Sequence, residues 1–313
     1  MKSQTEPNRG PLVDPAHYGR VTAQIRTEGE RLLSSGSVAA IIGYVAGRRP
    51  GSTIPAVITT PGEAALLVFS PGCRNNLSRY LTRKGELPAG RIAIVAKGCD
   101  LRGVAGLMGE NQVRRDELHI IGVACPGVYA AGADGRQPLT ESTIAPKCRE
   151  CSVHIPDGVV DMVAGDLPAL PELAPVEREE LRRLEEMTPA QRWQFWKEEF
   201  SRCIRCLACR QVCPFCFCHQ CLCDRNRPQG IESSPRPAGN MAWHIIRAMH
   251  LAGRCAGCAE CERVCPMGIP LNLLNRKMAE EMKALYGHEA GLEPREKGPL
   301  VEYRLDDDQS FIR

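Results

Sequence analysis

Cys203, Cys206, Cys209 and Cys213-Pro214 form a triplet-spaced run that recurs as Cys255, Cys258, Cys261 and Cys265-Pro266. A 4Fe-4S cube needs four thiolates, and in two-cluster proteins with this spacing the fourth cysteine of each run ligates the other cube. The spacing therefore assigns Cys203, Cys206, Cys209 and Cys265 to one cluster, and Cys255, Cys258, Cys261 and Cys213 to a second. Tetrathiolate zinc sites also use CxxC pairs, but they rarely add a third and fourth cysteine at these offsets. The chemistry that follows is one-electron transfer. A zinc-bound interaction module is the competing reading.

Five further cysteines precede these runs. Ala64–Phe69 reads as a strand leading to Cys73 and a helix over Asn75–Arg83, Arg91–Ala96 leads to Cys99 and a helix over Leu101–Asn111, and His119–Ala124 leads to Cys125. Strand, helix and strand in this order predict parallel strands joined by crossovers. Cys99 and Cys125 then fall just beyond the carboxyl ends of consecutive strands, where open α/β sheets bind their ligands. Neighbouring strands lie about 4.8 Å apart, so the two thiols can meet at one site. With the pair Cys148-Arg149-Glu150-Cys151, they make a candidate third cluster of Cys99, Cys125, Cys148 and Cys151, with Cys73 as a spare ligand. The competing reading is a set of buried, unreactive thiols. Between the two triplet-spaced runs, Cys216, Cys218, Cys221 and Cys223 crowd into eight residues. They could bind metal, tune the first cube or act in thiol redox chemistry.

The turn Lys97-Gly98-Cys99-Asp100 has the makings of an anion site, with Asp100 capping the helix, Gly98 letting backbone approach, and Lys97 supplying charge. An ordinary strand-to-helix turn uses the same glycine and cap for stability. Neither a GxGxxG fingerprint nor a set of acid, base and nucleophile stands out.

The elements that must position these residues divide the chain of 313 residues into two domains. Residues 1–20 read as a loose arm, and residues 21–165 as an α/β domain opening with a helix over Val21–Ser35 and a strand over Ser37–Val45. Asp166–Pro175 is punctuated by proline and predicts a linker over 166–176. Residues 177–286 read as helical. Thr188-Pro189 starts one helix whose Trp193, Trp196 and Phe200 predict a packing stripe, and Leu271–Leu285 forms another. His244 and His250 sit on helix, with core or surface roles, and 287–313 reads as a solvated tail.

Composition excludes several classes. With 40 basic and 37 acidic residues the net charge is +3, so no polyanion surface is implied and nucleic acid is not an expected partner. The opening MKSQTEPNRGPL lacks an apolar signal-peptide core, so the 17 cysteines are expected as reduced ligands in the cytoplasm. GSVAAIIGYVAG is too short and glycine-broken to cross a membrane, and other runs are shorter.

The stretches SVAAIIGYVAG, VAKGCDLRG, GENQVRRDELHIIGVACPG and KCRECSVHIPDGVVDMVAGD, within residues 37–165, resemble the beta subunits of deazaflavin-coenzyme-reducing hydrogenases and formate dehydrogenases. That resemblance implies FAD and one 4Fe-4S cluster in this domain, with Cys99, Cys125, Cys148 and Cys151 as ligands. It also places Asn76, Lys97, Gly98 and Asp100 near the flavin. The two-cluster segment, similar to helical ferredoxins, follows the flavin-type domain. This layout is similar to iron–sulfur subunits of heterodisulfide-reductase-like and formate-dehydrogenase-like complexes. The expectation is an α/β domain with a mostly parallel sheet plus an all-α dicluster domain, in an electron-transfer subunit working between a soluble electron carrier and other redox subunits. A flavin-free polyferredoxin relay is the alternative.

Overall fold

The computed structural model describes residues 10–310, apart from 84, 233, 294–296, 300, 302, 304 and 307–309. Two compact units divide the chain: residues 1–101 with 114–179, and residues 102–113 with 180–313. The expected linker at 166–176 thus belongs to the first unit. Its Leu173 packs on the small cluster of Tyr129, Leu139 and Ile144.

The first unit opens with α1 (Ala16–Ser34), which begins inside the stretch read as an arm. Val21, Ile25, Gly29 and Leu32 recur at helical spacing and are buried, so this face packs inward, each large apolar side chain contributing about 1.5–3 kcal/mol. Strands β1 (Ala40–Ala46), β2 (Thr53–Ile58), β3 (Ile92–Ala96), β4 (Leu118–Val123) and β5 (Met162–Ala164) form one sheet in the order β2-β1-β3-β4-β5. β1 and β2 pair antiparallel, and every other neighbour is parallel. β3 and β4 are apolar throughout and buried throughout, as central parallel strands must be. Pro55 sits on β2, the edge strand, where its missing N–H does no harm.

Two expectations differ from the structure. Pro61–Leu66 is a 3₁₀ helix rather than the start of a strand, because Thr60 and Glu63 close a capping box ahead of the apolar run. Its neighbour Leu67 makes only an isolated bridge to Val45. Leu77–Thr82 is likewise 3₁₀, capped by the Asn76 side chain.

Helix α2 (Gly98–Gly109) follows β3, and the short α3 (Pro146–Arg149) carries Cys148. Beyond β5 come α4 (Val176–Glu186), α5 (Pro189–Ser201), α6 (Ala208–Gln211), α7 (Pro237–Leu251), α8 (Glu260–Arg263) and α9 (Leu271–Tyr286). No strand occurs among the described residues of the second unit. Thr188 caps α5 in a box with Gln191, and Pro189 occupies the first turn. The core joins Phe200, Trp243, Ile269 and Leu271 to Cys209, Cys223 and Cys261. Trp196 packs on that core, whereas Trp193 is 55% exposed and lies outside the stripe.

The expected tail starts later than 287. Arg102 donates to the Ala290 carbonyl at 2.8 Å and pairs with Glu289, and His288 and Ala290 are buried. Asp306 is exposed, while Asp307 and Asp308 lie outside the described residues.

Candidate metal centres

In the second unit the cysteine runs fold the same way twice. Cys203-Ile204-Arg205-Cys206-Leu207 and Cys255-Ala256-Gly257-Cys258-Ala259 carry positive φ at matching positions: 53° at Arg205, 60° at Leu207, 65° at Gly257 and 54° at Ala259. A left-handed residue other than glycine costs about 1–2 kcal/mol, so this conformation persists only where the surroundings enforce it. Alternating hands turn successive N–H groups to one side, making the anion-binding nest common at iron–sulfur sites. Arg205 N–H donates to Cys203 Sγ at 3.4 Å, and Gly257 N–H bonds its counterpart, Cys255. Each loop then enters a one-turn helix, α6 or α8, holding the third cysteine of its run.

A small cavity is lined by Cys203, Cys206, Cys209 and Cys265. Trp243, Ile269 and Leu271 close its apolar side. Cys265, from the second run, thus stands with the first three. Reciprocally, Cys213 acts electrostatically on Cys255 and Cys261. Cys258 is half-buried in the same loop. Burial pushes the Cys209 thiol up to about 11 and Cys261 to about 12, their cysteine neighbours adding to it. These groups stay protonated until a metal displaces the proton, so loading would release protons.

Arg247, 7% exposed, lies among these sulfurs. Burial opposes its charge, but Cys213, Cys261, Cys216 and Cys209 favour it and outweigh that cost. Its Nε has no hydrogen-bond partner. The rest of its guanidinium bonds the Cys209 carbonyl and the Cys213 and Cys216 side chains, and a buried cation beside thiols fits a site built for anionic, sulfur-rich cubes. Asn275 Nδ2 donates to Cys261 Sγ at 3.5 Å, a further buried N–H···S contact.

The intervening cysteines are placed differently. Cys216 is hydrogen-bonded to Cys213, whose thiol it lowers, and Cys223 is buried beside Cys221. Cys218 is exposed. Among the described residues, no three His, Cys, Asp or Glu side chains converge as the donor set of a single metal ion. A zinc ion draws its sulfurs to about 2.3 Å from one point; the four thiolates of a cube are spread over its irons.

In the first unit, Cys99 follows β3 and Cys125 follows β4, strands in register at Ala96 and Gly122. The 151–155 loop is tied to the same edge, since Cys125 N–H donates to the His154 carbonyl at 2.8 Å. A Cβ on Gly98 would lie 1.9 Å from the Val153 carbonyl oxygen, which is why glycine occupies that turn. Burial drives the Cys125 thiol well above its ordinary value, and Cys148, Cys99 and Cys151 push the same way. The four thiols therefore share one region. Cys73 instead donates to the Val68 carbonyl and accepts from Ser70 N–H, inside its own loop.

The residues expected beside a flavin are turned inward. Lys97 is 1% exposed, and its Nζ meets Asp100 Oδ2 at 2.7 Å, the Asn75 carbonyl at 3.0 Å and the Tyr44 hydroxyl. Asp100 accepts from the backbone N–H of Leu77 at 2.6 Å and of Lys97 at 2.9 Å. Asn76 Nδ2 donates to the Cys99 carbonyl at 2.9 Å. Burial opposes the Lys97 charge, yet Asp100, Cys99 and Cys73 hold its pKa above the ordinary lysine range. Asn76, Lys97 and Asp100 brace the strand-to-helix turn, and their side-chain polar groups are taken up by partners within the protein.

No protein-family model matches the chain. Among curated proteins, formate dehydrogenase beta subunits are similar to it. The F420-dependent formate dehydrogenase subunit beta of Methanocaldococcus jannaschii is 32% identical over 112 residues, covering 36% of this chain and 28% of that protein. The F420-dependent formate dehydrogenase 1 subunit beta of Methanococcus maripaludis is 24% identical over 98 residues, 31% of this chain and 24% of that protein. The chain thus spans about a quarter of the length of these relatives.

Sequence reasoning missed Arg247, Asn275 and the left-handed residues. Arg247 lies four residues after Trp243 on α7, so a helical projection could have marked it as a charge on a buried face. His244 is buried, stacked on Phe200 at 4.5 Å, and neutral, its pKa lowered to about 3 by burial. His250 is exposed. Among the described residues no helix is long and apolar enough to cross a membrane.

Proposed function

We propose that the chain is an iron–sulfur electron-transfer subunit of a formate-dehydrogenase-type oxidoreductase complex, passing electrons between a carrier and partner redox subunits. Cys203, Cys206, Cys209 and Cys265 hold one 4Fe-4S cluster, and Cys255, Cys258, Cys261 and Cys213 a second. Cys99, Cys125, Cys148 and Cys151 hold a third. The observation that carries this reading is the cavity lined by Cys203, Cys206, Cys209 and Cys265, entered by a loop whose backbone twist recurs in the other run. When bound, the clusters supply one-electron storage at potentials set by burial, charge and hydrogen bonds to sulfur. Arg205 and Gly257 give N–H···S bonds, Asn275 gives one to Cys261, and Trp243, Ile269 and Leu271 keep water from one face.

The inward pairing of Lys97, Asp100 and Asn76 supports a second reading, in which this turn binds no FAD and the chain is a relay. The test is anaerobic purification followed by iron, acid-labile sulfide, zinc and flavin analysis, with EPR after reduction. About twelve irons with matching sulfide support three clusters, and about eight support only the pair of runs. Zinc without sulfide refutes the reading. Stoichiometric FAD would overturn the relay form alone.

A further inference from the structure

Arg247 has no role in the assignments above, yet it is the buried cation of the second unit's sulfur-rich core. It projects from α7 and is 7% exposed. Its Nη2 donates to the Cys209 carbonyl at 3.2 Å, and its guanidinium lies 6.0 Å from the centre of the Trp243 ring. Nε finds no protein acceptor. A guanidinium removed from water without a compensating negative partner is strongly unfavourable. Neutral thiols would not offset that cost. Thiolates would: the side chain is hydrogen-bonded to Cys213 and Cys216, and the groups favouring its charge are Cys213 and Cys261 of one ligand set, Cys209 of the other, and Cys216, which belongs to neither.

We infer that Arg247 is a counter-ion shared by the two cubes, held by the Cys209 carbonyl of one ligand set and by Cys213 of the other. The inference rests on the dicluster reading. Arginine suits the position because it stays protonated and presents several donors in fixed directions. Each cube that is reduced gains one electron, with no bond made or broken and no proton moved at Arg247. A fixed positive charge stabilises that added electron, so it raises the potential of both cubes.

The experiment uses full-length protein purified without oxygen, after the wild type is shown to carry iron and sulfide for both cubes. Wild type lacking them would be a failure of the dicluster reading itself, seen before any variant is made. Arg247→Met and Arg247→Lys are then titrated under EPR. In Arg247→Met the one-electron equilibrium of both cubes shifts at least tenfold toward the oxidised form, about 59 mV more negative. Arg247→Lys restores most of that shift. Loss of iron from Arg247→Met but not from Arg247→Lys carries the same conclusion, because charge is what lysine returns. Unmoved potentials in loaded Arg247→Met overturn the inference, as does an equal shift in both variants. Displacement of one cube only overturns the sharing. Iron lost from both variants at native helicity assigns Arg247 a packing role and also overturns it.

Discussion

Replacing Gly98 by alanine tests whether the first unit's four cysteines form a centre. The added Cβ would stand 1.9 Å from the Val153 carbonyl oxygen and 2.8 Å from Val153 Cβ, where contacts under 3.0 Å essentially never occur. One partner is backbone, so relief requires the 151–155 loop or the start of α2 to move by about 1 Å, at an overpacking cost of about 1–3 kcal/mol. Either movement carries a candidate ligand, Cys151 on the loop or Cys99 on the helix. Metal–ligand distances tolerate about 0.2 Å, so the geometric loss outweighs the modest loss of stability. Gly98→Ala is expected to remain folded and to lose about four irons per chain, with the EPR signals of the second unit unchanged. Gly257→Ala serves as a contrast, since its Cβ would meet nothing within 4 Å and only the positive φ of 65° is strained. A folded Gly98→Ala protein with undiminished iron would refute the reasoning.

Three other perturbations test separate steps. Lys97→Met leaves Asp100, 0% exposed, without its cation and should destabilise the first unit by about 3–5 kcal/mol in denaturant unfolding; a loss under about 1 kcal/mol would contradict the buried pairing. Cys265→Ala and the double variant Cys213→Ala/Cys216→Ala should each remove about four irons but spare different EPR signals, and identical residual spectra would contradict the crossed ligand sets. Cys216 is included because it stands beside Cys213. Burial lowers the pKa of His119, with Asp161 and Glu28 opposing, so the native state binds that proton less readily than the unfolded chain. Its contribution is present above the unfolded value of about 6.5 and is lost as pH falls toward the lowered folded value. His119→Gln should therefore flatten the fall in melting stability as pH drops below about 6.5, by at most about 1.4 kcal/mol per pH unit; an unchanged slope would count against the burial argument.

The strand-to-helix placement of Cys99 and Cys125 was legible because β3 and β4 are unbroken apolar runs, a pattern that survives any packing. Thr188 and Pro189 marked their helix start for a similarly local reason. Positions decided by particular side-chain partners were not legible. Ala64–Phe69 is an unbroken apolar run, yet Glu63 accepts from Thr59 and Thr60 N–H and pulls its start into a turn. Trp193 shares the spacing of a packing stripe but falls outside the core. Lys97 and Asp100 read equally well as an anion site or a capped turn, and only their burial and the bonds of Lys97 to Tyr44 and the Asn75 carbonyl distinguish the two. The left-handed loops were hidden because Arg205, Leu207 and Ala259 are poor residues for positive φ, with a glycine only at 257.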